Sequence, residues 1–233
     1  MKEVKIVRFE EISSTNEYAK ELRAQGCIQD TIIIAKKQSG GKGTKGRSFS
    51  SNEGGVYATK LAFYEKFPAK DAFLVMARAA VAVCMTLEEF SLAPVIKWAN
   101  DDYVSDKKIC GILIENVFSG SNVSSSIVGV GLNVNNELPI ELKEIAISMK
   151  EALGSEQDFS SVESLLIKNL FEEFSFEEYL ARVGYMNRTV TLVQGEREVQ
   201  AIPRCVREDG SLEVEIAGER KIVFSGEVSL RIG

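Results

Sequence analysis

The segment "GKGTKGRSFSSNEGGVYATKL", residues 41–61, begins as a near match to the phosphate-binding pattern GxxxxGK[ST], with Arg47 where the lysine belongs. A P-loop works because a helix follows it and its N-terminus receives the phosphates. Here "SFSSNEGG" reads as turn, and "GGVYATKLAFY" (54–64) reads as a strand. A P-loop is therefore excluded on context, and a glycine loop between two strands remains, fed by the β-branched run "TIIIAKK" (31–37). Residues 40–48 still hold four glycines and three cations, Lys42, Lys45 and Arg47. Backbone amides of such a loop can approach an anion closely while the cations supply charge-assisted donors. A plain solvated surface loop is the alternative, and this composition exceeds what one needs.

Working outward, "VKIVRFEEI" (4–12) reads as a first strand and residues 13–26 as a helix, with Ser14 and Glu17 at capping-box spacing and Gly26 as its stop. Residues 71–90, rich in small and apolar side chains, predict a mostly buried helix. Short strands follow at 95–98, 103–104, 109–117 and 126–134, then helices over roughly 139–153 and 160–182. After Gly184 only short strands separated by glycine turns remain, which places a domain boundary there: 1–184 and 185–233. The fold class expected is α+β with a small all-β C-terminal domain.

With 233 residues and 45% apolar content the chain can bury a sizeable core. A net charge of −6 argues against generic polyanion binding, so an anion must be met by a local patch, and residues 36–47 are that patch. Residues 116–136 are uncharged but carry five Ser and five Asn, too polar for a membrane span. The charged N-terminus lacks a signal peptide's apolar core, so a cytoplasmic protein is expected. Four scattered cysteines suggest free thiols. Histidine is absent, which excludes Ser-His-Asp and Cys-His catalysis and HExxH metal sites in one step.

A second polar cluster, "KWANDDYVSDKKICGILIEN" (97–116), sets Lys97, Asn100, Asp101 and Asp102 after one strand and Lys107 and Lys108 before another. Its oxygens could hold Mg²⁺ and its lysines a phosphate or carboxylate, although a charged hairpin turn explains it about as well. "SSTN" (13–16) offers hydroxyls and an amide at a helix start, where a simple cap is the competing account. The alternating glycines of "GVGLNV" (129–134) signal close approach by a ligand or another element, with Asn133 the polar side chain at the end of that run.

Taken in order, "STN" (14–16), "KKQSGGKGTKGRSFSS" (36–51), "KWANDDYVSDKKICGILIE" (97–115), "VGVGLNVN" (128–135) and "SGEVSLR" (225–231) resemble the motifs of the biotin protein ligases, the biotin–[acetyl-CoA-carboxylase] ligases. The resemblance spans nearly the whole chain. It implies a catalytic domain similar to class II aminoacyl-tRNA synthetases followed by an SH3-like barrel. It also implies two-step chemistry, in which biotin and ATP with Mg²⁺ give biotinyl-5′-AMP, and a lysine of a biotin carboxyl carrier domain then takes the biotinyl group. No covalent enzyme intermediate is needed, in keeping with the absence of histidine.

By position, the resemblance assigns Ser14, Thr15, Asn16, Gln38, Gly41, Lys42, Lys108, Gly111 and Ile112 to biotin. It assigns Lys42, Gly43, Lys45, Arg47, Phe49, Lys97, Asn100 and Asn133 to ATP, Asp101 and Asn133 to the metal, and Lys108 with Arg47 to catalysis. Thr44 stands where many members carry arginine, Ala99 replaces the family proline, and Asp102 replaces an apolar residue, an exchange that could loosen the turn or add a metal ligand. With "STN" at residue 14 there is no room before it for the winged helix of the repressor forms, so a ligase without DNA binding is expected, with no membrane association and homodimerisation open. A lipoate–protein ligase and a non-catalytic biotin or adenylate sensor are the alternatives.

Overall fold

A computed structural model describes residues 4–225 and 229–231. The middle of the "SGEVSLR" motif, residues 226–228, lies outside the described residues. The chain runs β1 (Lys5–Ile12), α1 (Thr15–Ala24), β2 (Thr31–Gln38), β3 (Val56–Phe63), α2 (Phe73–Glu89), β4 (Val95–Lys97), β5 (Asp101–Val104), β6 (Lys107–Ser119) and β7 (Asn122–Leu132). Then come α3 (Met149–Leu153), α4 (Phe159–Asn169), α5 (Phe176–Arg182), β8 (Val190–Gln194), β9 (Arg197–Val206), β10 (Leu212–Ile216), β11 (Glu219–Val223) and β12 (Ser229–Arg231).

Strands β1 to β7 form one sheet in the order β1-β2-β3-β7-β6-β5-β4, with β1 parallel to β2 and every other pairing antiparallel. The period-2 pattern of β2, β3 and β7 sends Ile32, Ile34, Ala58, Val128 and Val130 to the back of this sheet, into the main core with the apolar helix α2. Ile33, Leu61 and Ile127 point forward to Ala19 of α1, forming a smaller cluster. Helix α1 covers only part of the front face, so the rest of that face over β6 and β7 is open to a cleft.

Strands β8 to β12 form a second, wholly antiparallel sheet in the order β11-β10-β9-β8-β12. It joins the main core through Val190, Leu192, Val206 and Leu212. The turn at Gly210 seals the contact: its carbonyl accepts the Trp98 indole N–H at 3.0 Å. At φ +82° a Cβ on Gly210 would lie 2.2 Å from the Phe73 ring, so only glycine fits.

Three expectations change. The helix expected over 139–153 is a 3₁₀ turn at Ile140–Leu142 and the short α3. Between them the backbone pairs with Lys108, whose N–H donates to Ile145 O at 2.9 Å and whose carbonyl accepts from Ile147 N at 2.9 Å. The helix expected over 160–182 is interrupted after Asn169 and restarts where Ser175 and Glu178 make a complete capping box. At α1 the expected box is only half made: Ser14 accepts from the Glu17 backbone, but the Glu17 carboxylate turns outward to lysines.

Lys60 faces the back of the sheet beneath the end of α4, donating to Leu170 O at 2.8 Å with its ammonium 3.8 Å from the Phe171 ring centroid. Burial, reinforced by nearby Arg78, pushes its pKa down to about 8. The folded chain then releases this proton near pH 8, whereas an unfolded lysine keeps it to about 10.5. Unfolding takes up protons in that window, so this group adds to stability as pH rises from about 8 to 10.5, by about 3 kcal/mol. Chemical denaturation of the parent and of Lys60→Met across that range is expected to show this increment in the difference between their two pH profiles, since the buried thiols of Cys84 and Cys110, whose pKa values burial raises, contribute the opposite slope to both.

Candidate active site

The cleft on the front face has a volume of about 950 Å³. Its floor is backbone. Gly111 of β6 pairs with Gly131 of β7, and Leu113 pairs with Gly129. The Phe49 ring lies on this glycine platform: a Cβ would meet it at 2.9 Å from Gly111 and at 2.5 Å from Gly131.

One end of the cleft is neutral and fully cross-bonded. Ser14, Thr15 and Asn16 are buried at the start of α1. Gln38 Oε1 accepts from Thr15 N at 2.8 Å and Thr15 Oγ1 at 3.0 Å, and Gln38 Nε2 donates to Ser51 Oγ at 2.9 Å. The buried Thr59 hydroxyl lies 2.8 Å from Thr15 Oγ1 and 2.7 Å from Asn16 Oδ1. Glu115 fixes which way the Asn16 amide faces, because its carboxylate Oε2 can only accept and takes the Asn16 Nδ2 hydrogen bond at 3.3 Å. Gly129 makes room for that amide, since a Cβ there would lie 2.1 Å from Asn16 Oδ1.

The other end is cationic. Lys108 Nζ pairs with Asp101 Oδ1 at 2.7 Å and stands 5.8 Å from the Phe49 ring centroid. Asn100 Nδ2 donates to Ile112 O at 2.9 Å and approaches Asp101 Oδ1 at 3.3 Å, tying the turn before β5 to β6. Lys97 Nζ donates to the Tyr103 hydroxyl at 3.0 Å, and burial pushes the Tyr103 phenol well above its usual pKa. The glycine loop closes this end as a tight hairpin, with Lys42 bridged to Ser48, Gly43 N donating to Arg47 O at 2.7 Å and Phe49 N to Gly41 O at 2.9 Å. Thr44 orients Arg47 by accepting from its Nε and Nη2, each at 3.3 Å.

Every residue that the resemblance assigned to a ligand lines the cleft except Gly41. Gly41 is buried behind the loop, where a Cβ would lie 2.5 Å from both Phe49 O and Ser51 Oγ, so its role is to let the hairpin close. Asp102 adds no metal ligand. It points into the core, fully buried, with Oδ1 accepting from Cys84 Sγ at 3.5 Å and Oδ2 without a partner, and burial raises its pKa well above the carboxylate range. Asn133 lines the cleft and is held in place there: its Oδ1 accepts from Asn136 Nδ2 at 3.1 Å, and its backbone carbonyl accepts from Met149 N at 3.0 Å. Among the described residues no group of three Asp, Glu, Cys or His could hold a metal ion, which leaves Asp101 as the available carboxylate. That donor set suits a Mg²⁺ that arrives on a polyphosphate and touches one carboxylate, rather than one the protein cages.

Thr59, Glu115 and Gly129 were not singled out by residue. The alternating glycines did signal close approach, but a threonine inside an apolar strand carries no pattern of its own.

Residues 8–133 match the model of the biotin/lipoate A/B protein ligase family. The chain belongs to that family. It is 35% identical over 161 residues to the bifunctional ligase/repressor BirA of Bacillus subtilis (strain 168), covering 67% of this chain and 50% of that protein. It is 29% identical over 234 residues to BirA of Escherichia coli (strain K12), covering 94% and 72%. The chain thus spans about half the length of the first of these relatives. The biotin protein ligase from Aquifex aeolicus, solved in complex with biotin and ATP, superposes with a TM-score of 0.76 at 29% identity, covering 98% of this chain and 99% of that one. The family's fold of mixed α and β elements is thereby shared over nearly all of the chain. Among the described residues no helix is long and apolar enough to cross a membrane.

Proposed function

We propose that the chain is an ATP-dependent biotin–protein ligase of the cytoplasm, acting on the lysine of a biotin carboxyl carrier domain. One observation carries this: a single cleft joins a neutral, cross-bonded end at Thr15, Asn16 and Gln38 to a cationic end at Lys108 across a floor where Gly111 faces Gly131. Biotin has the same polarity, a neutral cyclic urea at one end and a carboxylate at the other. Likeness to the biotin- and ATP-bound Aquifex enzyme supports the same orientation.

In this reading Ser14, Thr15, Asn16 and Gln38 hold the urea, Gly111 and Ile112 line the path, and Lys108 sits where the carboxylate meets the α-phosphate. A carboxylate oxygen attacks that phosphorus and pyrophosphate leaves. Lys108 offsets the repulsion between two anions and the charge that grows in the transition state, while Lys42, Lys45 and Arg47 cover the phosphates and keep water from the mixed anhydride. Phe49, Lys97 and Asn100 border the nucleotide side, and Asp101 would hold a Mg²⁺, which would neutralise phosphate charge. The carrier's lysine amine then attacks the acyl carbon and AMP leaves, the amine shedding a proton. Beyond Ile112 the β5 side of β6 carries no paired strand among the described residues, an open edge suited to the carrier's backbone. We also read residues 185–233 as an SH3-like domain on a 1–184 catalytic domain, supported by the wholly antiparallel second sheet.

Pyrophosphate release from MgATP by the purified chain tests the assignment. Release is expected with biotin and not with lipoate. Release with lipoate alone moves the assignment to the lipoate branch of the family, and none with either favours a non-catalytic sensor.

A further inference from the structure

Glu17 carries a charge that the adenylation chemistry does not use. Its Oε1 accepts from two ammonium groups at once, Lys42 of the glycine loop at 2.7 Å and Lys20 of its own helix at 2.8 Å. Lys20 also pairs with Glu115 Oε1 at 2.7 Å, and Glu115 Oε2 accepts from Asn16 at 3.3 Å. The hydrogen bonds from Lys20 and then Lys42 hold the Glu17 carboxyl below its usual pKa. Ion pairs thus run from the loop to the neutral end of the cleft.

Lys42 lines the cleft, yet its charge is engaged by a carboxylate of the protein itself. Because Glu17 Oε1 keeps Lys20 at 2.8 Å, Lys42 can leave without stranding an unpaired anion. An incoming phosphate offers Lys42 more negative charge than Glu17 does, and Glu17 repels that same phosphate. We propose that Glu17 is a positioning residue that occupies Lys42 in place of the nucleotide phosphates and so sets the affinity for MgATP. This rests on the adenylation reading above and adds a competitor that reading does not contain.

The test is calorimetric titration of MgATP into the full chain without biotin, for the parent, Glu17→Gln, Lys42→Ala and the double variant. The exchange to glutamine keeps the backbone N–H that Ser14 caps, so the helix start is preserved. Glu17→Gln is expected to bind MgATP about fivefold tighter at low salt, with the gain shrinking toward none in about 0.5 M salt. The KM for ATP is expected to fall by the same factor, with kcat and the KM for biotin within about twofold. In the Lys42→Ala background the exchange is expected to change nothing. Unchanged or weaker binding by Glu17→Gln, or a gain that persists without Lys42, overturns the proposal. A parent that neither binds MgATP nor releases pyrophosphate with biotin overturns the adenylation reading together with it, whereas a parent active with biotin whose Glu17→Gln variant keeps the parental affinity and KM for MgATP overturns this proposal alone.

Discussion

Lys108→Ala is expected to lower biotin-dependent pyrophosphate release about a thousandfold, about 4 kcal/mol of transition-state stabilisation. The side chain is 29% exposed, and its described ion pair is with Asp101 at 2.7 Å, so its loss leaves core packing intact and the thermal midpoint close to the parent's. The ammonium lies directly on the platform, 3.0 Å from where a Gly111 Cβ would stand, so it reaches a ligand resting on that floor as a compact point charge. Lys108→Arg keeps the charge on a longer, planar group and is expected to recover less than about a tenth of the parental rate. Single-turnover measurement separates this from a binding defect: the loss falls mainly on the rate at saturating biotin and MgATP. A Lys108→Ala chain that keeps more than about a tenth of the activity would falsify the role given to this lysine.

Gly129→Ala is expected to weaken biotin binding by about tenfold to a hundredfold while leaving the KM for ATP within about twofold. The backbone at 129 tolerates alanine in β7, but the new Cβ would sit 2.1 Å from Asn16 Oδ1. The amide must swing away, breaking the 2.7 Å contact with Thr59 and the 3.3 Å bond to Glu115. A buried hydroxyl then loses one acceptor and the urea loses its partner, whereas Lys108 and the loop are untouched. Equilibrium binding of biotin to parent and variant measures this, and equal affinities would remove Asn16 from the recognition of the ligand.

Much of the site was legible because its chemistry is local. "STN" capped the helix it was expected to cap, the glycine loop ran into β3 as its turn residues required, and the two lysine-bearing turns flanked the strands that bring Lys97 and Lys108 to one cleft. What was not legible depends on partners distant in the chain. The bonds that Asn136 and α3 make to Asn133 have no local signature, and Asp102, read as a possible metal ligand, is covered by α2. Glu17 satisfied the spacing of a capping box, but two lysines outcompeted the Ser14 backbone for its carboxylate. The segment 137–147 has helical composition, and pairing with Lys108 draws it out as a strap instead. For the all-β stretch after Gly184 strand spacing sufficed to foresee a second sheet, but not the Gly210 turn that locks it to Trp98.

The facing glycines of β6 and β7 also limit how such a cleft can diverge. A wall of side chains can be re-tuned one substitution at a time, but Gly111 and Gly131 offer none to exchange, and any Cβ at Gly131 would enter the space of the Phe49 ring. Variation there is all or none: glycine keeps the platform, and every other residue fills it. New ligand preferences in this architecture must therefore arise around those glycines, from the start of α1 and from the loop that carries Lys42 and Phe49, while the glycine pair itself stays a common bed for whatever slender chain is laid across it.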